Sequence, residues 1–401
     1  MDTVIIFFLD AIRFDYLNSK DTPFLCNVAA SGISRPLKTI WGFSGIAATI
    51  FSGVHPKKHG VWTQYASSQS SIFKWIEPLS PILDKVDQKI RNRKMKKGFR
   101  LAFLQSSRFL YRMSYYPGVH EVPFKLLPKL DFSMRKKLYE PNAFVHVPSL
   151  FDILRQNEID FSIMDYPLMG FDYGVVRKIL HTKKIPKIIY VRLMDLDETT
   201  HKFGVHSKER IMKLRETDKY VETITKHIER MGINPISVIF ADHGFLDIRK
   251  NVDILRTVRK TELKEGKDFT VFLDSTMARF WGKSSVLEKI HMILSDMKVG
   301  RFFTKSDLDK YNLPTSTNYG NLIYVVNPGI LISPNYYQGY SKVESMHGYD
   351  PNIPEQKTIF MLSNSGSFSK LEELNLVDIL PTILKLLEIP KPESCVGKSL
   401  L

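Results

Sequence analysis

Cysteine is nearly absent. Cys26 and Cys395 are the only two, too few for a disulfide framework or a thiolate zinc site, and their scarcity fits a reducing compartment. No uninterrupted apolar run approaches the about 20 residues of a membrane-spanning helix. The opening run ends at Asp10, Asp2 stands ahead of it with no basic residue, and no small-residue cleavage site precedes Arg13 and Asp15. A buried strand is predicted there rather than a secretory leader, and the chain is expected to be cytoplasmic, with peripheral membrane contact open. Internal repeats and low-complexity tracts are lacking as well,. Acid is short relative to base: 42 Asp and Glu against 57 Lys and Arg leave a formal +15 over 401 residues. Such a field favours anionic partners, among them phosphates, nucleic acid or an acidic membrane face, and says nothing about fold. Apolar residues at 43% and charged residues at 25% are those of a soluble globular chain,.

Four near-continuous apolar runs, Val4–Leu9, Asp160–Met164, Ile188–Leu193 and Ser237–Ala241, read as strands buried on both faces,. Helical periodicity over Ser149–Gln156 and Ser207–Arg230 lies between them. Alternating strand and helix predicts an α/β fold, a mostly parallel sheet sandwiched by helices, with ligands at the carboxyl ends of the strands. Residues 1–73, 138–250 and 341–401 are assigned to this core. Two segments break the pattern. Residues 74–137 carry 16 Lys and Arg but five acids (Glu77, Asp84, Asp87, Glu121 and Asp131), with Phe, Leu and Tyr interleaved from Phe99 to Tyr116. They read as a basic helical insertion or cap, either a solvated face or a surface for an anionic membrane or a long anionic substrate. Residues 251–340 read as a small α+β insertion, from strands at Phe269–Leu273 and Leu322–Val326 and a helix at Ser284–Met297. A closing helix or helix pair is expected over Leu371–Ile389, with Pro381 near a break,.

Five scattered sites are rich in ligand chemistry. Asp10 ends the first strand. Gly42-Phe43-Ser44-Gly45 opens an apolar helix that runs into Ser52-Gly53-Val54-His55-Pro56-Lys57-Lys58-His59-Gly60. Ser44 is an N-cap, or a hydroxyl exposed at a positive helix end. Asp197-Glu198-Thr199-Thr200-His201 puts a carboxylate and an imidazole on one side of a helical turn. Asp242-His243 directly follows an apolar strand, where burial of both costs several kcal/mol unless they are paired or bind metal. His347 sits in Met346-His347-Gly348-Tyr349-Asp350. Each alone has a bland reading as a turn, cap or surface residue. Together, Asp10, Asp197, His201, Asp242, His243 and His347 are enough oxygen and imidazole ligands for two Zn²⁺ or Mn²⁺ ions.

In this order the motifs resemble the alkaline phosphatase superfamily, in particular its type I phosphodiesterase/nucleotide pyrophosphatase family. The resemblance runs from Asp10 to at least Asp350, with Val377-Asp378-Ile379-Leu380-Pro381-Thr382 like that family's terminal helix. It implies that Asp197, His201 and His347 hold one ion and that Asp10, Asp242 and His243 hold the other, with Ser44 touching it as nucleophile. The spacing of the nucleotide pyrophosphatase branch lands on Phe43, which cannot attack; a shift of one residue gives Ser44, and Thr39 is the reserve. The implied activity is that of a two-metal phosphoester hydrolase, a phosphodiesterase or pyrophosphatase working through a phosphoseryl intermediate, with zinc the first metal candidate and manganese the second. Arg13 and Arg279 are candidate substrate donors. The alternatives are a phosphomonoesterase or phosphotransferase of the same superfamily, or a non-catalytic protein binding anionic lipid or nucleic acid. Sulfatase chemistry would need a cysteine in the serine motif, and neither Cys26 nor Cys395 stands there. No specific nucleic acid partner is predicted, since a basic patch without a recognition motif gives salt-sensitive nonspecific binding.

Overall fold

The computed structural model describes residues 3–114, 118, 120–165, 170–363 and 372–401. Among them a seven-stranded sheet runs in the order Leu374–Asn375, Ile33–Lys38, Thr358–Leu362, Ile236–Phe240, Val4–Leu9, Ile188–Leu193 and Phe161–Asp165. Thr358–Leu362 is antiparallel to both neighbours, and the remaining pairings are parallel. The sheet is apolar on both faces because each is covered. Ile6, Phe8, Tyr190 and Phe240 pack against Phe51 and Phe151 on one side. Ile5, Phe7, Val191 and Ile239 pack against Leu214, Val221 and Ile224 of the long helix Lys208–Arg230 on the other. This is the α/β sandwich expected from the alternating runs. Leu9 pairs with Leu193 and Phe8 with Phe240, so the residues that follow these three parallel strands emerge together at one edge.

Several boundaries move. Ser149 and Ser207 cap their helices rather than begin them, each accepting a backbone N–H from three residues on,. Strands read as Asp160–Met164 and Ser237–Ala241 are Phe161–Asp165 and Ile236–Phe240. The helix expected from Leu371 is shorter: Leu371 lies outside the described residues, Leu374–Asn375 joins the sheet, and the α-helix is Ile379–Leu386. Pro381 sits in its first turn, where the missing N–H has no partner to lose. Tyr116, the far end of the amphipathic stretch, also lies outside the described residues. No helix among them is long and apolar enough to cross a membrane.

Residues from 74–137 and 251–340 share one apolar interior. A four-stranded antiparallel sheet, Phe269–Leu273, Met277–Gly282, Leu322–Val326 and Gly300–Phe302, carries the helix Ser284–Ser295. Val271, Phe272 and Tyr324 from it are buried in the same cluster as Ile76, Leu104 and Phe124 from the basic segment. That segment forms a hairpin of two helices, Ser80–Lys89 and Arg93–Leu110. Asp87 and Arg100 fasten the hairpin through two charge-assisted bonds of 2.8 and 2.6 Å, both side chains buried. The Arg100 guanidinium also donates to the His120 and Val122 carbonyls at 2.8 Å, and the His120 ring stands edge-on to Tyr337 at 4.8 Å. Asp87→Ala strands the Arg100 charge inside the lobe. A loss of about 3–5 kcal/mol is expected for a broken buried pair, read as a lower urea midpoint for the lobe.

Candidate metal and nucleophile site

Three carboxylates and three imidazoles converge where the parallel strands end. Asp10 directly follows Val4–Leu9. The next residue, Ala11, has φ +70°, a left-handed conformation that costs a non-glycine residue of order 1 kcal/mol. Its N–H donates to Asp242 Oδ1 at 3.3 Å, as does that of His243 at 3.0 Å, so this turn is tied to the neighbouring strand end. Asp197 and His201 lie one turn apart on the helix Asp195–Phe203, with Nε2 3.6 Å from Oδ1. Buried Asp172 fixes the start of that helix by accepting the N–H groups of Met194 and Asp195 at 2.7 and 3.2 Å.

His243 is at the centre. Its Nε2 is 3.3 Å from Asp10 Oδ1, 3.4 Å from Asp242 Oδ2 and 3.7 Å from Asp197 Oδ1. The His347 ring stacks on it, with centroids 3.5 Å apart, and brings its own Nε2 to 3.9 Å from Asp197 Oδ1. Gly348, at φ +83°, makes the bend after His347; a Cβ there would lie 2.7 Å from the Phe43 ring. Phe43 thus packs between Tyr337 and His347, at centroid distances of 6.2 and 5.0 Å. His201 Nδ1 lies 2.9 Å from the Ser345 carbonyl. Donation there leaves the Nε2 lone pair directed at Asp197, the tautomer a metal ligand needs.

The charges explain why this cluster wants a cation. Burial, with the Asp10 charge adding to it, pushes Asp197 up to about 7 and Asp242 up to about 8. Burial also pushes Asp10 up, but His243 and Arg192 outweigh it and hold it at about 2. Burial lowers His201 to about 4 and takes His347 well below its usual range, so both are neutral imidazoles at pH 7. Burial works against the charge on His243, yet Asp242, Asp10 and Asp197 raise it to about 10. Asp10 Oδ1, Asp197 Oδ1 and His347 Nδ1 are buried without a hydrogen-bond partner. Two groups, Asp10–Asp242–His243 and Asp197–His243–His347, each bring three ligand atoms within 4.8 Å of one another. Oxygen and nitrogen donors with buried, unanswered negative charge fit divalent cations.

Ser44 stands beside this cluster. It is the N-cap of the helix Gly45–Ser52, but its hydroxyl makes no capping hydrogen bond. With Asp242, Arg192 and Lys137 it lines a cavity of about 330 Å3 whose walls include Phe8, Ile46, Leu138 and Tyr190. Thr39, the reserve nucleophile, is buried and lines a different cavity with Trp41, His55 and Tyr311. His59 ends the short helix Pro56–His59. It is buried, with Nε2 3.0 Å from Thr49 Oγ1 and Nδ1 accepting the Val61 N–H, and it braces the helix that Ser44 opens.

Neither arginine singled out from sequence serves the cavity. Arg13 spends its donors on Asp15 and the Phe245 carbonyl. Arg279 is fully buried in the second lobe, bonded to Asp274 at 3.2 Å and to the Tyr65 carbonyl at 2.8 Å. The arginine that does approach is Arg192, whose Nη2 donates to Asp10 Oδ2 at 3.1 Å while its cation lies over Phe8. Its grip leaves Asp10 Oδ1 as the atom facing His243. The signal was present in the sequence: Arg192 is the one charge in Ile188-Ile189-Tyr190-Val191-Arg192-Leu193.

A sequence profile described as type I phosphodiesterase/nucleotide pyrophosphatase matches residues 4–350. No curated protein matches the chain in sequence. Among solved structures, human ectonucleotide pyrophosphatase/phosphodiesterase 5 is similar at a TM-score of 0.70 and 15% identity, covering 99% of this chain and 97% of the human one. The mouse protein, as an inactive threonine-to-alanine variant in complex with AMP, is similar at a TM-score of 0.69 and 14% identity, covering 98% and 96%. At such identities the likeness is one of fold.

Proposed function

Because this chain belongs to the type I phosphodiesterase/nucleotide pyrophosphatase family, and is thus a phosphoester-hydrolysing enzyme, we propose that it cleaves phosphodiester or pyrophosphate bonds by passing the phosphoryl group first to Ser44 and then to water. The observation that carries this reading is the meeting of Asp10, Asp197, His201, Asp242, His243 and His347 at one sheet edge, with uncapped Ser44 on the cavity beside Asp242. Asp10, Asp242 and His243 would hold one dication, and Asp197, His201 and His347 its neighbour. Zinc is the first candidate and manganese the second. When bound, the pair supplies Lewis-acid charge to the phosphoryl oxygens and lowers the pKa of a coordinated hydroxyl.

The chain's own residues do the rest. Ser44 Oγ bonds to phosphorus as the bond to the leaving-group oxygen breaks, and the seryl proton ends on that departing oxygen. The first-turn N–H groups of Gly45–Ser52 lack partners within the helix and favour negative charge at that end. Water then splits the phosphoseryl ester and restores the hydroxyl. Arg192 keeps Asp10 turned toward His243. The nucleotide bound by the mouse protein makes nucleotide esters the first diesters to try.

Elemental analysis of the purified protein, paired with a panel of chromogenic esters, tests the reading. Two dications per chain are expected, with diester turnover that a chelator abolishes and added zinc or manganese restores. A metal-free protein with full turnover would refute it. A second reading, a phosphomonoesterase, draws on Arg192 and Lys137 in the cavity wall, because a monoester dianion carries one more charge to neutralise. Faster turnover of the monoester on the same panel would select it.

A further inference from the structure

We propose that the hairpin of Ser80–Lys89 and Arg93–Leu110 is a docking surface for a bilayer bearing anionic lipids. Three observations carry this. The first is where the acids go. Asp84, Asp87 and Asp131, three of the five in residues 74–137, are buried. Asp84 accepts the Phe124 and Lys125 N–H groups, Asp87 takes Arg100 and Lys96, and Asp131 pairs with Arg135. Glu77 is paired with Lys74. The outward face is therefore more positive than the composition of the segment.

The second is the wheel of Arg93–Leu110. Arg100, Leu104 and Ser107 point into the lobe. At 100° per residue the opposite side holds Met95, Gly98, Ala102, Gln105, Ser106 and Phe109, all exposed and none charged,. Lys94, Lys97 and Arg108 lie together on one side, between that stripe and the buried face. A helix that merely faced water would carry its charges in the middle of the outward side, not along its border. Here Phe109 is 85%, Met95 66% and Leu110 58% exposed.

The third is the companion helix. Its outward side carries Ile82, 61% exposed, and Val86, interleaved with Lys85 and Lys89. At the far end, Phe109, Leu110 and Met113 line an open groove with Arg108 and Arg112, where apolar side chains and guanidinium groups alternate. Apolar side chains ringed by cations match the boundary of a bilayer, with rings and thioether among the acyl chains and cations at anionic headgroups. A nucleic acid would repay the charge but leave Phe109 and Met95 in water. This surface lies outside the metal and nucleophile cluster and does not depend on it.

Flotation of the full chain with phosphatidylcholine vesicles, with and without phosphatidylserine, tests the proposal. The protein is expected to float with the phosphatidylserine vesicles at about 0.1 M salt, where screening sets in beyond about 10 Å, to be released at high salt, and to ignore pure phosphatidylcholine. Lys94→Ser with Lys97→Ser should weaken binding about fivefold per charge removed. Met95→Ser with Phe109→Ser, which leaves every charge in place, should weaken it by about tenfold or more. Turnover of a soluble ester at the wild-type rate certifies that both variants are folded. Absence of flotation, flotation untouched by the Met95 and Phe109 changes, or salt-sensitive binding to a DNA duplex in place of vesicles would each overturn the proposal.

Discussion

Ser44→Ala is expected to lower ester turnover by about 10³- to 10⁶-fold, the range seen when an attacking group is removed and binding is left intact. At the lower bound this is about 4 kcal/mol of transition-state stabilisation. Bound metal should stay at the wild-type level, because none of the six acidic and imidazole side chains is touched. Ser44 lines the cavity and its hydroxyl has no capping duty, so the substitution leaves no backbone donor stranded and the helix Gly45–Ser52 keeps its place. Thr39→Ala is the internal control. Thr39 lines another cavity, and its loss should leave turnover within a few-fold of the parent. Equal rates for Ser44→Ala and the parent, or a collapse with Thr39→Ala, would move the nucleophile away from Ser44.

His243→Ala should cost more metal than any other single imidazole. Its Nε2 faces Asp10, Asp242 and Asp197 together, and it belongs to both ligand groups. His201→Ala removes a partner of Asp197 alone. We expect the His243 variant to retain less than one dication and the His201 variant about one, by elemental analysis after dialysis; even partners that only orient a ligand are worth about 10- to 100-fold in affinity. Turnover should follow metal content. A His243 variant that keeps two dications would take His243 out of the ligand set. The buried Ile239 and Phe240 strand that carries His243 packs on both faces of the sheet, so circular dichroism should show both variants folded.

The sheet was legible because its strands are apolar without interruption, the mark of elements covered on both sides, and because strand ends in such sheets are where polar side chains gather. The six candidate ligands were picked out by residue type and order, and they meet at one sheet edge. What the sequence hid were features made by distance. Thr358–Leu362 runs against its neighbours, and a five-residue apolar strand carries no mark of direction. Arg192 reads as a lone charge in a strand until Asp10 is seen across the ladder. Arg13 and Arg279 looked available because a sequence does not show which donors are already taken by Asp15, Asp274 and backbone carbonyls. The basic segment advertised its surplus of charge but not that its acids turn inward, a matter of which helix face meets the lobe.

The ring contacts from the hairpin to the sheet edge set what adsorption would do to the enzyme. Arg100 grips the His120 carbonyl, His120 abuts Tyr337, Tyr337 meets Phe43, and Phe43 lies against His347. Solid packing of this kind works as a bracket, not a leash. A chain seated on a headgroup plane would hold its reaction cleft at one height and one tilt above that plane, so esters presented from a given depth would be sampled and those dissolved in bulk water would gain nothing from the encounter.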